Sequence, residues 1–316
     1  MAITFSTAST REVYGRTLVE LGKQNRDIVV LGGDLNKSTF THLFAEEFPD
    51  RFFDFGPAEQ NIMGVAAGLA ASGKIPFVST FAVFGMCRPF DQVRVSISQP
   101  ALNVKIVCTH AGLLTGEDGM SAQGIEDLSL ACSLPSFNVV APADSIETSQ
   151  AITAASKTHG PFYIRLYRPA TPVVHDESYQ FKLGRADLLR NGSDMTIITI
   201  GPMAAQGLEA AEIMAEKGVH CRVVNLHSLR PIDEEAIVDA AIHTGAIVTA
   251  EEHLLHGGLS SVVSQTLALR APTPMEVVGL QGYAESGKPA QLFEKYKIAT
   301  TNIVDAVDRV MERKRN

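Results

Sequence analysis

Apolar positions along this chain follow two alternating patterns. Short runs rich in β-branched and aromatic residues (DIVVLGGD, FFDFG, IPFVSTF, VKIVCTH, NVVAP and FYIRLY) are separated by longer stretches with a helical period. Such alternation predicts βαβ units on a mainly parallel sheet. The rhythm pauses at YRPATPVVHDESYQFKLGRADLLRNGSD, a polar segment with two prolines and turn signals, then resumes with MTIITIG, CRVVNLHS, AIVTAEE and MEVVGL. The expected fold class is therefore α/β with two domains, each a mainly parallel sheet flanked by helices. We place the first domain at 1–172, a linker at 173–191 and a smaller second domain at 192–316.

In open α/β sheets ligands gather outside the carboxyl ends of the strands. The unusual residues of this chain lie there. GGDLNKS follows DIVVL, GPAEQN follows FFDF, STFAVF closes IPFV, CTHAGLLTGEDG follows VKIV, and RLYRP ends FYI. These strand ends predict one rim assembled from several loops.

Composition narrows the class of partner. The chain has 316 residues, is 45% apolar and carries a formal net charge of -8 without a basic run, which argues against a nucleic-acid or anionic-membrane surface. Cys87, Cys108, Cys132 and Cys221 are widely spaced and form no CxxC pair, so neither a disulfide framework nor a metal site is expected. The N-terminus lacks a basic region followed by an apolar stretch, and no apolar run reaches the roughly 20 residues of a membrane span. A reducing cytoplasm is the expected location.

Single motifs are weak. GGD at 32–34 lacks the rest of a nucleotide fingerprint, GEDG at 116–119 lacks the ligands of an EF-hand, and HGG at 256–258 has no GxSxG beside it and reads as the loop before a helix. Glu59 in GPAEQN stands in the first turn of a predicted helix, where a carboxylate complements the helix dipole. Phe81 and Phe84, three apart, have the spacing of core residues on a helix.

The combination says more. The run GPAEQNIMGVAAGLAASGKIPFVSTFAVFGMCRPFDQVR, then THAGLLTGEDG and GPFYIRLYRP, resembles the pyrimidine-binding domain of transketolase. GPMAAQGLEAAEIMAEKGVHCRVVNLHSLRPID and AEEHLLHGGLSS resemble its C-terminal domain. No stretch matches the family's GDG motif, which grips the pyrophosphate of thiamin diphosphate, or the asparagine that helps hold magnesium. The resemblance is thus to the C-terminal section of a split transketolase, with a separate N-terminal subunit carrying the GDG motif, pyrophosphate and Mg2+.

The resemblance implies roles for particular residues. Glu59 matches the carboxylate that hydrogen-bonds N1' of the cofactor's aminopyrimidine and favours the imino tautomer, the internal base of the reaction. Phe81 and Phe84 match the aromatic faces that flank the pyrimidine and exclude water. Arg11, Ser38, His110 and Arg168 match positions around the sugar phosphate, and Asp118 matches an aspartate that reads a substrate hydroxyl. This sequence departs from the family at Cys87, where long transketolases have tyrosine, and at Ala122, where a histidine near the reacting carbon is usual. Ala122 leaves the sugar open.

The implied reaction moves a two-carbon ketol unit from a ketose phosphate to an aldose acceptor, in an assembly of two chains of each kind. Two rivals stand beside it: the β subunit of a 2-oxoacid dehydrogenase, and a non-catalytic partner or regulatory subunit.

Overall fold

All six apolar runs that precede the polar segment form strands of one sheet. They are Ile28–Gly32, Phe52–Asp54, Ile75–Phe81, Lys105–Thr109, Asn138–Val140 and Phe162–Arg165, and they pair in parallel. The computed structural model describes residues 3–315. Across the sheet the order runs from Asn138–Val140 through Phe162–Arg165, Lys105–Thr109, Ile75–Phe81 and Ile28–Gly32 to Phe52–Asp54. Because the last five are contiguous and parallel, their carboxyl ends share one edge. That edge is the rim.

A second sheet holds Met275–Leu280, Ile247–Leu254, Met195–Thr199 and Cys221–Asn225 in parallel. Its other edge is Asp187–Arg190, antiparallel to Cys221–Asn225 and drawn from the segment 173–191. A small ladder pairs Thr7–Ala8 with Thr171–Pro172.

The domains are not independent layers. Ser228–Arg230 leaves the second domain and pairs antiparallel with Asn138–Val140, becoming the seventh strand of the first sheet. One apolar cluster runs from Ile62, Val78 and Ile106 to Val224, Leu229 and Ile237, so the two sheets share buried surface.

The connecting segment is pinned by charge. Asp144 caps the helix Ser145–Lys157 by accepting from Glu147 N, and its other oxygen accepts from Val174 N, His175 N and His175 Nδ1, each at 2.9 Å. His175 Nε2 lies 3.2 Å from Asp187. Burial pulls the His175 pKa down, but the hydrogen bonds to Asp144 and Asp187 outweigh it and raise it to about 10.

Candidate functional site

Gly56 takes a left-handed φ of 64° and Pro57 follows, so the helix Glu59–Ala71 cannot start before Ala58. This places Glu59 at the first helical position, facing the carboxyl edge of the sheet. Its side chain is only 2% exposed, and Oε2 accepts from Arg88 Nη1 at 2.8 Å. The Arg88 side chain is 47% exposed, with its guanidinium 4.5 Å from the centre of the Phe84 ring. A buried carboxylate therefore meets solvent through one half-exposed cation.

Phe81 does not share a helix with Phe84. It ends the strand Ile75–Phe81, and Phe84 lies in the π-helical turn Val83–Cys87 that follows. The spacing of three is that of a strand turning into a helix, a geometry π-turns often mark at functional sites. The two rings are 5.8 Å apart and within 14° of parallel. On Phe81 stacks His110, at 3.6 Å and 16°. The result is a flat aromatic wall beside Glu59.

His110 has φ of 55°, uncommon for a residue with a side chain, at the turn after Lys105–Thr109. Its Nδ1 lies 2.9 Å from Thr109 Oγ1. Burial, with Arg11 and Arg168 nearby, drives its pKa down to about 3, so the imidazole is neutral at physiological pH. Arg11 Nη1 donates to Ser38 O at 2.6 Å; burial and the charge of Arg168 lower its own pKa. Arg168 Nη1 donates to Thr115 O at 2.7 Å and to Glu117 at 2.9 Å, and Nη2 is 3.8 Å from Asp118. A half-buried arginine whose charge is disfavoured by burial and by Arg168, beside a neutral imidazole, forms a site that an anion would relieve. Arg11, Ser38, His110, Arg168 and Asp118 thus lie in one region of the rim, Ser38 contributing a backbone carbonyl to Arg11 and Asp118 lying 3.8 Å from Arg168.

Ala122 is buried on the loop after GEDG, its N–H donating to Gly119 O at 3.0 Å. Next to it, Gln123 Nε2 donates to Gly116 O at 3.3 Å and to Glu285 O of the second domain at 3.2 Å. Sequence reasoning passed over Gln123 and Arg88. Arg88 had a signal, since it stands four residues after Phe84 in a helical segment, the spacing that lays a cation on a ring. For Gln123 no local pattern exists, because its partner lies in the other domain. Among the described residues no group of three or more His, Cys, Asp or Glu side chains could hold a metal ion.

Comparison with known proteins gives this arrangement a family. Residues 6–173 match the model of the transketolase pyrimidine binding domain, and 184–303 match that of the transketolase C-terminal domain. The chain belongs to the transketolase family and corresponds to its C-terminal section. It is 39% identical over 305 residues to the 6-deoxy-6-sulfo-D-fructose transketolase subunit SqwH of Clostridium sp. (strain MSTE9), covering 96% of this chain and 95% of that one. Human transketolase is 34% identical over 303 residues, 95% of this chain but 48% of the human protein. A solved split gene transketolase, an inactive beta4 tetramer, superposes with a TM-score of 0.91 at 48% identity, covering 97% of this chain and 99% of that one.

Proposed function

We propose that this chain is the pyrimidine-binding half of a split transketolase, moving a two-carbon ketol unit from a ketose phosphate to an aldose or aldose phosphate. The observation that carries this reading is Glu59: a buried carboxylate at the sheet edge, beside the wall of Phe81 and Phe84 and open to solvent only through Arg88. These residues fit an aminopyrimidine, which needs one carboxylate at N1' and a flat apolar face. Bound thiamin diphosphate would supply the nucleophilic carbon and the electron sink for breaking the sugar's carbon–carbon bond.

The chain's residues have separate tasks. Glu59 holds a proton at N1', and Phe81 and Phe84 keep water from the reacting atoms. Arg11 and Arg168 anchor the distal phosphate by ion pairs, neutral His110 adds a hydrogen bond, and Asp118 accepts from a substrate hydroxyl. A sulfonate offers the same tetrahedral oxygens, consistent with the relative named for a sulfosugar. Pyrophosphate and Mg2+ belong, in this reading, to a separate N-terminal subunit with a GDG motif, in an assembly of two plus two chains working in the cytoplasm. The relatives of matching length, one named as a transketolase subunit and one as a split gene transketolase, support this reading.

Ala122 bears on the sugar. Without a side-chain donor there, a buried substrate hydroxyl goes unpaired at a cost of about 1–3 kcal/mol. The donor is therefore expected to differ from xylulose 5-phosphate near its reacting end. The test mixes this chain with the GDG-bearing subunit and assays xylulose 5-phosphate with ribose 5-phosphate, before and after Ala122→His. Turnover only in the mixture, improved by the substitution, is expected. Tight cofactor binding or turnover by the single chain would overturn the split reading, and full pentose phosphate turnover without gain from Ala122→His would overturn the unusual donor.

A further inference from the structure

Glu252 comes from the second domain, yet its carboxyl group lies inside the first. It stands on the strand Ile247–Leu254 and is 1% exposed. Oε1 accepts from Leu114 N at 2.5 Å, in the loop between His110 and Asp118. That loop is shaped to receive it: a Cβ added to Gly112 would lie 2.3 Å from Glu252 Oε1, and Gly112 itself has φ of 66°. The main chain at Glu252 is fixed as well, since Arg165 Nη2 donates to Glu252 O at 2.9 Å and to Gly124 O at 3.1 Å while Arg165 Nε pairs with Asp127 at 2.9 Å. Two further contacts from the second domain hold the same loop: Ser286 Oγ donates to Glu117 O at 2.5 Å, and Gln123 links Gly116 O to Glu285 O.

We propose that Glu252 is a positioning residue, through which the C-terminal domain sets the backbone of 112–118 and so the placement of Asp118 and of the carbonyl that orients Arg168. Thr115 O, bound by Arg168, is one residue beyond the Leu114 amide that Glu252 holds. The second domain thus acts on the sugar site without reaching it. The roles of Asp118 and Arg168 rest on the transketolase reading above.

Protonation makes the contact testable. Burial raises the Glu252 pKa to about 8, against the opposing pull of Arg165 and the Leu114 amide, and Asp127 adds to the rise. Oε2 has no hydrogen-bond partner. The facing groups are Arg165, Asp127 and Tyr167 from the first domain, and Glu251 and His253 beside it on its own strand. Since the folded pKa is raised above the usual carboxylate value, the net contribution of the buried carboxyl to the closed loop is complete below about 4.5 and is lost as pH rises through about 8, because the cost of burying the charge exceeds what the Leu114 amide and Arg165 return.

The experiment is hydrogen–deuterium exchange on the full chain from pH 6 to 9, corrected for intrinsic rates, comparing residues 112–118 with the strand Lys105–Thr109. Needing neither sugar nor cofactor, it fails or succeeds separately from the transketolase reading. We expect the parent loop to lose about tenfold protection between pH 7 and 9, and Glu252→Gln to keep its protection throughout. Glu252→Ala should be about tenfold less protected in the loop at every pH, with Lys105–Thr109 unchanged. Equal loop protection in Glu252→Ala and parent, or a loss spread evenly into Lys105–Thr109, would overturn the proposal. If Glu252→Ala does not fold, the pH profile of Glu252→Gln decides alone, and a fall matching the parent's would overturn it.

Discussion

Glu59 and Glu251 are both buried glutamates beside a helix N-terminus, and they use that position in opposite ways. Glu251 reaches from its strand to the helix Leu259–Arg270, where Oε2 accepts from Leu259 N at 2.6 Å and Oε1 from Ser260 N at 2.8 Å. Both its oxygens are spent on backbone donors that no carbonyl of the helix satisfies. Glu59 begins its own helix, and its partner among the described residues is the half-exposed side chain of Arg88. A side chain can move aside; a helix terminus cannot. The Glu251 carboxylate is closed into the fold, whereas that of Glu59 is held by a partner free to swing into solvent.

The comparison breaks most visibly at Glu59. Glu59→Gln in the reconstituted pair is expected to slow exchange of the cofactor's C2 proton by orders of magnitude, followed by NMR after acid quench, while the melting temperature stays nearly unchanged. Unchanged exchange would return Glu59 to the role of a helix-dipole residue worth a fraction of a kcal/mol.

Glu251→Ala should behave the other way, losing about 2–4 kcal/mol of stability near pH 5 because two buried N–H groups lose their acceptor. Urea unfolding measures this, and a variant as stable as the parent would mean that the helix end finds other partners. Burial raises the Glu251 pKa to about 7, against the hydrogen bonds from Ser260 and Leu259. A raised carboxyl pKa means that its contribution is complete below about 4.5 and is lost as pH rises through about 7. Glu251→Gln should accordingly flatten the decline in stability between about pH 4.5 and 7.

The smallest effect belongs to Arg88. Breaking a fully buried ion pair costs about 3–5 kcal/mol, but an exposed one is worth about 1 kcal/mol or less. With Arg88 half exposed, Arg88→Gln is expected to cost under about 1 kcal/mol in urea unfolding. A loss of several kcal/mol would show that Glu59 is as closed as Glu251, and the contrast between them would fail.

Much of the first sheet could be read from periodicity. IPFVSTF and VKIVCTH are parallel central strands because short continuous apolar runs suit a strand that is buried on both faces between two neighbours. HGG is a loop before a helix, as its lack of a nucleophile motif suggests, with Gly258 at the N-cap. Four segments escaped. Thr7–Ala8 and Thr171–Pro172 are too short to carry a period. Asp187–Arg190 lies in a polar, turn-rich segment and is a strand because the Cys221–Asn225 edge offers it a ladder. Ser228–Arg230 pairs with a strand of the other domain, and nothing within three residues specifies such a partner.

The sequence by itself determined the alternation of the main parallel strands with helices, the helix start at Glu59 and the identity of the residues along the rim. These follow from short-range causes: side-chain period, the fixed φ of proline and the freedom of glycine. Only the tertiary structure decided that Arg88 would close over Glu59, that His110 would stack on Phe81, and that Glu252 would enter the loop of the first domain. Each of these joins residues distant in sequence through burial and direction, which exist only once the sheets have packed and water has left the space between them.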